Sequence, residues 1–117
     1  MPTCSRGDLV VVEVRFSDAS GAKRRPAVVV SDEVFHGGLP DILVCPVSSQ
    51  PRYLRKPGPG DVAIKPWKSV GLHFPSTMRV SKLLAVDKKI VVRILGHLPA
   101  EVMAQADGAL RKALKLP

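Results

Sequence analysis

A chain of 117 residues makes one domain with a single modest hydrophobic core. Its hydrophobic content of 45% and mean hydropathy of +0.11 exclude a disordered chain, and its apolar runs are strand-length, too short to span a membrane. Eighteen Lys and Arg against ten Asp and Glu leave a formal charge of +8 and an isoelectric point near 10.0, which directs attention to RNA, DNA or an acidic protein as partner rather than a merely solubilising surface.

Met1 to Arg15 lacks the cationic start, apolar centre and small-residue cleavage site of a signal peptide, so a cytoplasmic location is expected. Cys4 and Cys45 are then reduced thiols, Cys45 a buried hydrophobe in ILVCPV and Cys4 part of a loose N-terminus. Arg6, Gly7 and Asp8 read as a turn, and Leu9 to Val14 follows as a β-branched strand. Ser17 to Arg24 is small and polar, expected as a flexible loop. Pro26 lacks an amide hydrogen and holds Arg25 extended, so a strand is expected from Ala27 to Ser31, directly after the cationic run Lys23, Arg24, Arg25.

The segment SDEVFHGGLPD reads as a loop before the strand Ile42 to Val47, which ends in Ser48, Ser49, Gln50 and Pro51. RYLRKPGPGD, with two prolines and two glycines, is expected as an exposed loop. Strand signals return at Asp61 to Lys65, Thr77 to Val80 and Ile90 to Leu95. From Pro99 the apolar period becomes helical, with Val102, Met103, Ala106, Leu110 and Leu114 on one face of a closing amphipathic helix. Short strands followed by one helix predict an α+β, mostly β fold: a small, partly closed β-barrel carrying a C-terminal helix.

His36, His73 and His97 stand at no metal-ligand spacing and neither cysteine has a CxxC partner, so no metal or other cofactor is expected. Between Pro51 and Arg93 the chain carries ten Lys or Arg and two acids, Asp61 and Asp87. Arg25, at the mouth of a strand, offers a guanidinium that grips a phosphate with two hydrogen bonds, or else pairs with an acid such as Asp8 or Asp32. Ser48 closes the next strand. If the two strand ends lie side by side, a cation and a hydroxyl face one phosphate, a pair able to stabilise a pentacoordinate phosphorane.

With RGDLVVVEVRF, SGAKRRPAVVVS, ILVCPVSSQ, WKSVGLHFPSTMRVSKLLAVDK and ILGHLPAEVMAQADGALRKAL, the whole chain resembles the PemK/MazF toxins of bacterial type II toxin–antitoxin systems. That resemblance implies a small SH3-like barrel and a sequence-specific endoribonuclease that cuts single-stranded mRNA without a metal. The ribose 2′-hydroxyl attacks the adjacent phosphate, leaving 2′,3′-cyclic phosphate and 5′-hydroxyl ends. It further implies a homodimer and a cognate acidic antitoxin, with Arg25 and Ser48 catalytic and Lys23, Arg24, Ser49, Arg79 and Ser81 lining the RNA groove. A barrel of the same fold that binds RNA or poisons DNA gyrase without cutting is the rival reading.

Two positions depart from the family pattern. Ser48 stands where threonine is common, and Ser81 stands where some members carry an acid after the arginine corresponding to Arg79. The general base is therefore open: His36 in VFHGG is a candidate, as is a simple solvated role for it. Tyr53 and Trp67 are candidate base-stacking aromatics, Trp67 equally a packing residue.

Overall fold

The structure, a computed structural model, describes residues 3–15 and 20–117. Among the described residues, seven strands and three α-helices follow in the order β1 (Asp8–Arg15), β2 (Ala22–Val29), α1 (Glu33–His36), β3 (Asp41–Ser48), α2 (Arg52–Arg55), β4 (Asp61–Ile64), β5 (Ser76–Arg79), β6 (Leu84–Asp87), β7 (Val91–His97) and α3 (Ala100–Leu114), with short 3-10 turns at Val80–Lys82 and Lys88–Ile90. All pairings are antiparallel, in the order β4-β5-β3-β2-β1-β7, with β6 also against β3. The end strands β4 and β7 do not pair with each other, so the mostly β sheet curves without closing.

Alternation along the strands separates two apolar clusters. Leu9, Val28, Cys45, Met78 and Ile64 join Val102, Met103 and Ala106 of α3 in one, while Val10, Val12, Ala27, Val29, Ile42 and Val44 form the other. The helix buries the first part of its expected stripe. Leu110 packs at the margin of the first cluster and Leu114 is exposed. Cys45 is fully enclosed, and desolvation pushes its thiol up to about 11. Cys4 belongs not to a loose terminus but to the second cluster, where burial, followed by Asp8, raises its pKa.

The sharpest difference from the expected layout lies in β2. The strand begins at Ala22, so Lys23, Arg24 and Arg25 are strand residues, paired in register with Val14, Glu13 and Val12. A polar, charged run forms a strand here because β1 supplies the ladder, a non-local partner that outweighs weak local propensity. Of the predicted loop from Ser17 to Arg24, residues 17–19 lie outside the described residues. The loop SDEVFHGGLPD contains α1, begun by the Asp32 carboxylate accepting from Val34 N–H at 2.9 Å, and RYLRKPGPGD contains α2.

His36 is a structural residue, not a solvated or catalytic one. Its ring is buried, with Nε2 3.0 Å from the Cys4 carbonyl and Nδ1 2.7 Å from Ser31 Oγ. A carbonyl can only accept, so Nε2 donates to Cys4, while Nδ1 shares a hydrogen bond with the Ser31 hydroxyl. Ser31 Oγ in turn accepts from Leu43 N–H at 3.0 Å, and the chain ties the N-terminal segment to α1 and β3.

Candidate active site

The ladder between β2 and β3 pairs Val29 with Val44, Val28 with Cys45 and Ala27 with Pro46, and there it ends. Neither Pro26 nor Pro46 has an N–H with which to extend it. Beyond that point β2 stays with β1, Pro26 opposite Val11, while the far end of β3 is held on its other edge by β5, Ser48 opposite Thr77. Continued by two residues, the β2–β3 register would set Arg25 opposite Ser48. The strands part where those two residues stand.

The gap is a cavity of about 500 Å3. Arg25 and Ser48 both line it, as do Lys23, Arg24, Ser49, Gln50 and, from β7, Arg93, which stands opposite Val11 in the sheet. The segment after β4 closes it with Gly71, Leu72, His73, Phe74 and Ser76. Gly71 has φ +97°, and a Cβ there would lie 3.1 Å from the Leu95 carbonyl oxygen, so the turn presses against β7 as only glycine permits. The charged side chains among the described lining residues are cations, with no carboxylate among them, a lining that suits an anion.

The two central side chains differ in how they are held. Ser48 Oγ accepts from Gln50 N–H at 3.2 Å, which orients the oxygen and leaves its hydrogen to donate elsewhere. Arg25 is exposed and has no ion-pair partner among the described residues, whether Asp8, Asp32 or another acid. Asp8 instead holds His97 Nδ1 at 2.9 Å and Asp32 caps α1. Arg24 faces Glu13 at 3.5 Å, an exposed pair of small energetic weight.

Arg79 and Ser81 are not brought to this cavity. Arg79 Nε lies 2.9 Å from Asp61 Oδ1, with the Asp61 side chain 1% exposed, and its guanidinium sits 3.9 Å from the Tyr53 ring centre. Arg79 and Tyr53, together with Arg52, Lys56 and Lys82, form a separate shallow recess. Ser81 lines a groove between α3 and the start of β4. Trp67 packs against the first cluster, and neither it nor Tyr53 lines the cavity. Replacing Arg79 with methionine strands a buried carboxylate and is expected to destabilise the fold by about 3 kcal/mol, the lower end for a broken buried pair because Arg79 keeps some solvent contact. Urea denaturation checks this, and Arg79→Met with Asp61→Asn should recover part of the loss.

Sequence reasoning did not anticipate His73, Phe74 and Arg93. His73 and Phe74 fall within GLHFPSTMRVSKL, which was legible as a motif, but which of its side chains turn toward Arg25 depends on how the segment folds back over β2. Arg93 carried no local signal.

The profile of the PemK-like, MazF-like toxins of type II toxin–antitoxin systems matches residues 5–114. No curated protein matches the sequence. Among solved structures, the chain is similar to a MazE–MazF complex (Form-II) from Deinococcus radiodurans, with TM-score 0.83, 23% identity and 100% of each chain covered. A second such complex from the same organism, Form-III, gives TM-score 0.80 at 25% identity, covering 99% of this chain and 100% of that one. A mycobacterial endoribonuclease in complex with its cognate antitoxin gives TM-score 0.75 at 21% identity, covering 100% and 98%.

Proposed function

We propose that this chain, which belongs to the PemK-like, MazF-like toxin family of type II toxin–antitoxin systems, cuts single-stranded RNA in the cavity between β2 and β3. One observation carries the reading: Arg25 and Ser48 line the same cavity, with no acid among its described lining residues, at the point where a proline-terminated ladder opens. A phosphodiester placed there meets a guanidinium and a hydroxyl donor at once. The ribose 2′-oxygen attacks the adjacent phosphorus as its proton leaves, and the bond from phosphorus to the 5′-oxygen breaks as that oxygen takes up a proton. A cyclic 2′,3′-phosphate and a 5′-hydroxyl result. Negative charge grows on the non-bridging oxygens in the transition state, and donors fixed there lower its energy more than that of the ground state.

Lys23, Arg24, Ser49 and Arg93 hold flanking phosphates, and His73 adds an imidazole to the described lining. Complexes of antitoxins with the similar Deinococcus and mycobacterial proteins, together with the charge of +8, support a cognate acidic antitoxin as partner. A homodimer acting on mRNA in the cytoplasm is the matching assembly. The experiment is to incubate the purified protein with a long RNA in EDTA and map the cut ends. Cyclic phosphate and 5′-hydroxyl ends are expected, and a strict magnesium requirement, or 5′-phosphate ends, would sink the mechanism.

A further inference from the structure

We propose that Phe74 is a stacking platform for an unpaired base of the RNA strand held in the cavity, a role that rests on the ribonuclease reading above. Phe74 is 65% exposed at a cavity whose described lining sets cations and serine hydroxyls beside apolar Val47, Leu72 and Leu95. It belongs to neither apolar cluster, so packing among the described residues does not account for an apolar ring left in water beside cations. A base offers it a flat apolar face, and the cations hold the backbone that carries that base.

The platform is rigid before RNA arrives. Pro75 restricts Phe74 to extended backbone, and the buried Ser76 donates its hydroxyl to the Phe74 carbonyl at 2.8 Å. Gly71, pressed on β7, fixes the other end of the same segment. With the backbone held, ordering the ring on binding costs two side-chain torsions at most, so stacking energy is retained as affinity. Tyr53 cannot serve here, because the Arg79 guanidinium already covers its ring in a different recess. The ligand is a nucleotide next to the one whose phosphate is attacked, and every base has the face required. Phe74 therefore contributes affinity and position with little base selectivity of its own.

The test uses the full chain and a short single-stranded RNA carrying 2′-deoxy at the cleaved nucleotide, with 2-aminopurine substituted in turn at each flanking position. Wild type should bind and quench one flanking 2-aminopurine. Phe74→Ala and Phe74→Leu should bind about 10- to 100-fold more weakly with that quenching lost, and Phe74→Trp should keep both. The salt dependence of binding should be unchanged in the Phe74 variants, whereas Lys23→Gln should lower its slope by about 0.7, one phosphate contact on a single strand. A wild type that cuts RNA while Phe74→Ala and Phe74→Leu bind and quench equally well would overturn the platform alone. So would an altered oligomeric mass in Phe74→Ala with RNA affinity intact, since it assigns the ring to a protein interface. A wild type that neither binds nor cuts RNA would overturn the ribonuclease reading and the platform with it.

Discussion

Arg25→Ala is expected to slow single-turnover cleavage at saturating RNA by about 10²- to 10³-fold, the scale of losing one preorganised donor to a developing oxyanion. The guanidinium sits at the end of the β2–β3 ladder, in extended backbone before Pro26, and no described acid neutralises it. Its charge is available to the phosphate. Arg24 provides the control, because it lies on the same strand and lines the same cavity but has Glu13 at 3.5 Å and a side chain 62% exposed. Arg24→Ala should weaken RNA binding and flatten its salt dependence while leaving the saturated rate close to wild type. Arg25→Lys should recover little, since a point charge does not reproduce a planar two-pronged grip. Equal saturated rates for Arg24→Ala and Arg25→Ala would refute the assignment.

Ser48→Ala should lower the same rate by about 10²-fold or more, and Ser48→Thr should keep or raise it. Ser48 Oγ already accepts from Gln50 N–H, so its direction is set and its hydrogen remains to donate to a non-bridging oxygen. Threonine preserves that donor and its methyl removes idle rotamers. Stability should change by no more than about 1 kcal/mol, because the residue loses one ordinary hydrogen bond at a half-exposed strand end. Thermal unfolding therefore separates lost chemistry from lost fold. Near-wild-type cleavage by Ser48→Ala would move the search for the reacting groups to His73 and Arg93.

Some of the molecule is decided locally, and those parts are legible in the sequence. The β-branched run Leu9 to Val14, the strand Ile42 to Val47 and the helix beginning after Pro99 carry their periods in their own residues, and each is found within a residue or two of where it was expected. The Arg25 and Ser48 neighbourhood was legible for a related reason. Arg25 directly precedes Pro26 and Ser48 lies two residues beyond Pro46, where the β2–β3 ladder ends, and proline's missing donor is a property of the residue itself.

Other parts depend on partners distant in sequence. Lys23 to Arg25 look like loop by composition and become strand because β1 offers an edge, and β6 goes unread for the same reason, completed by the edge of β3. Arg79 looked like a groove cation until Asp61, eighteen residues earlier, claimed it. His36 looked solvated ahead of two glycines, yet it is buried and hydrogen-bonded to the Cys4 carbonyl and the Ser31 hydroxyl. His73, Phe74 and Arg93 reach the cavity through chain reversals that no short window records. By itself, the sequence determined the charge, the strand-and-helix rhythm and the proline-marked ladder ends, because each follows from residue chemistry or local period. Only the tertiary structure decided which cations stay unpaired among the described residues and which rings line the cavity, because desolvation and pairing are set by what the fold brings within a few ångströms.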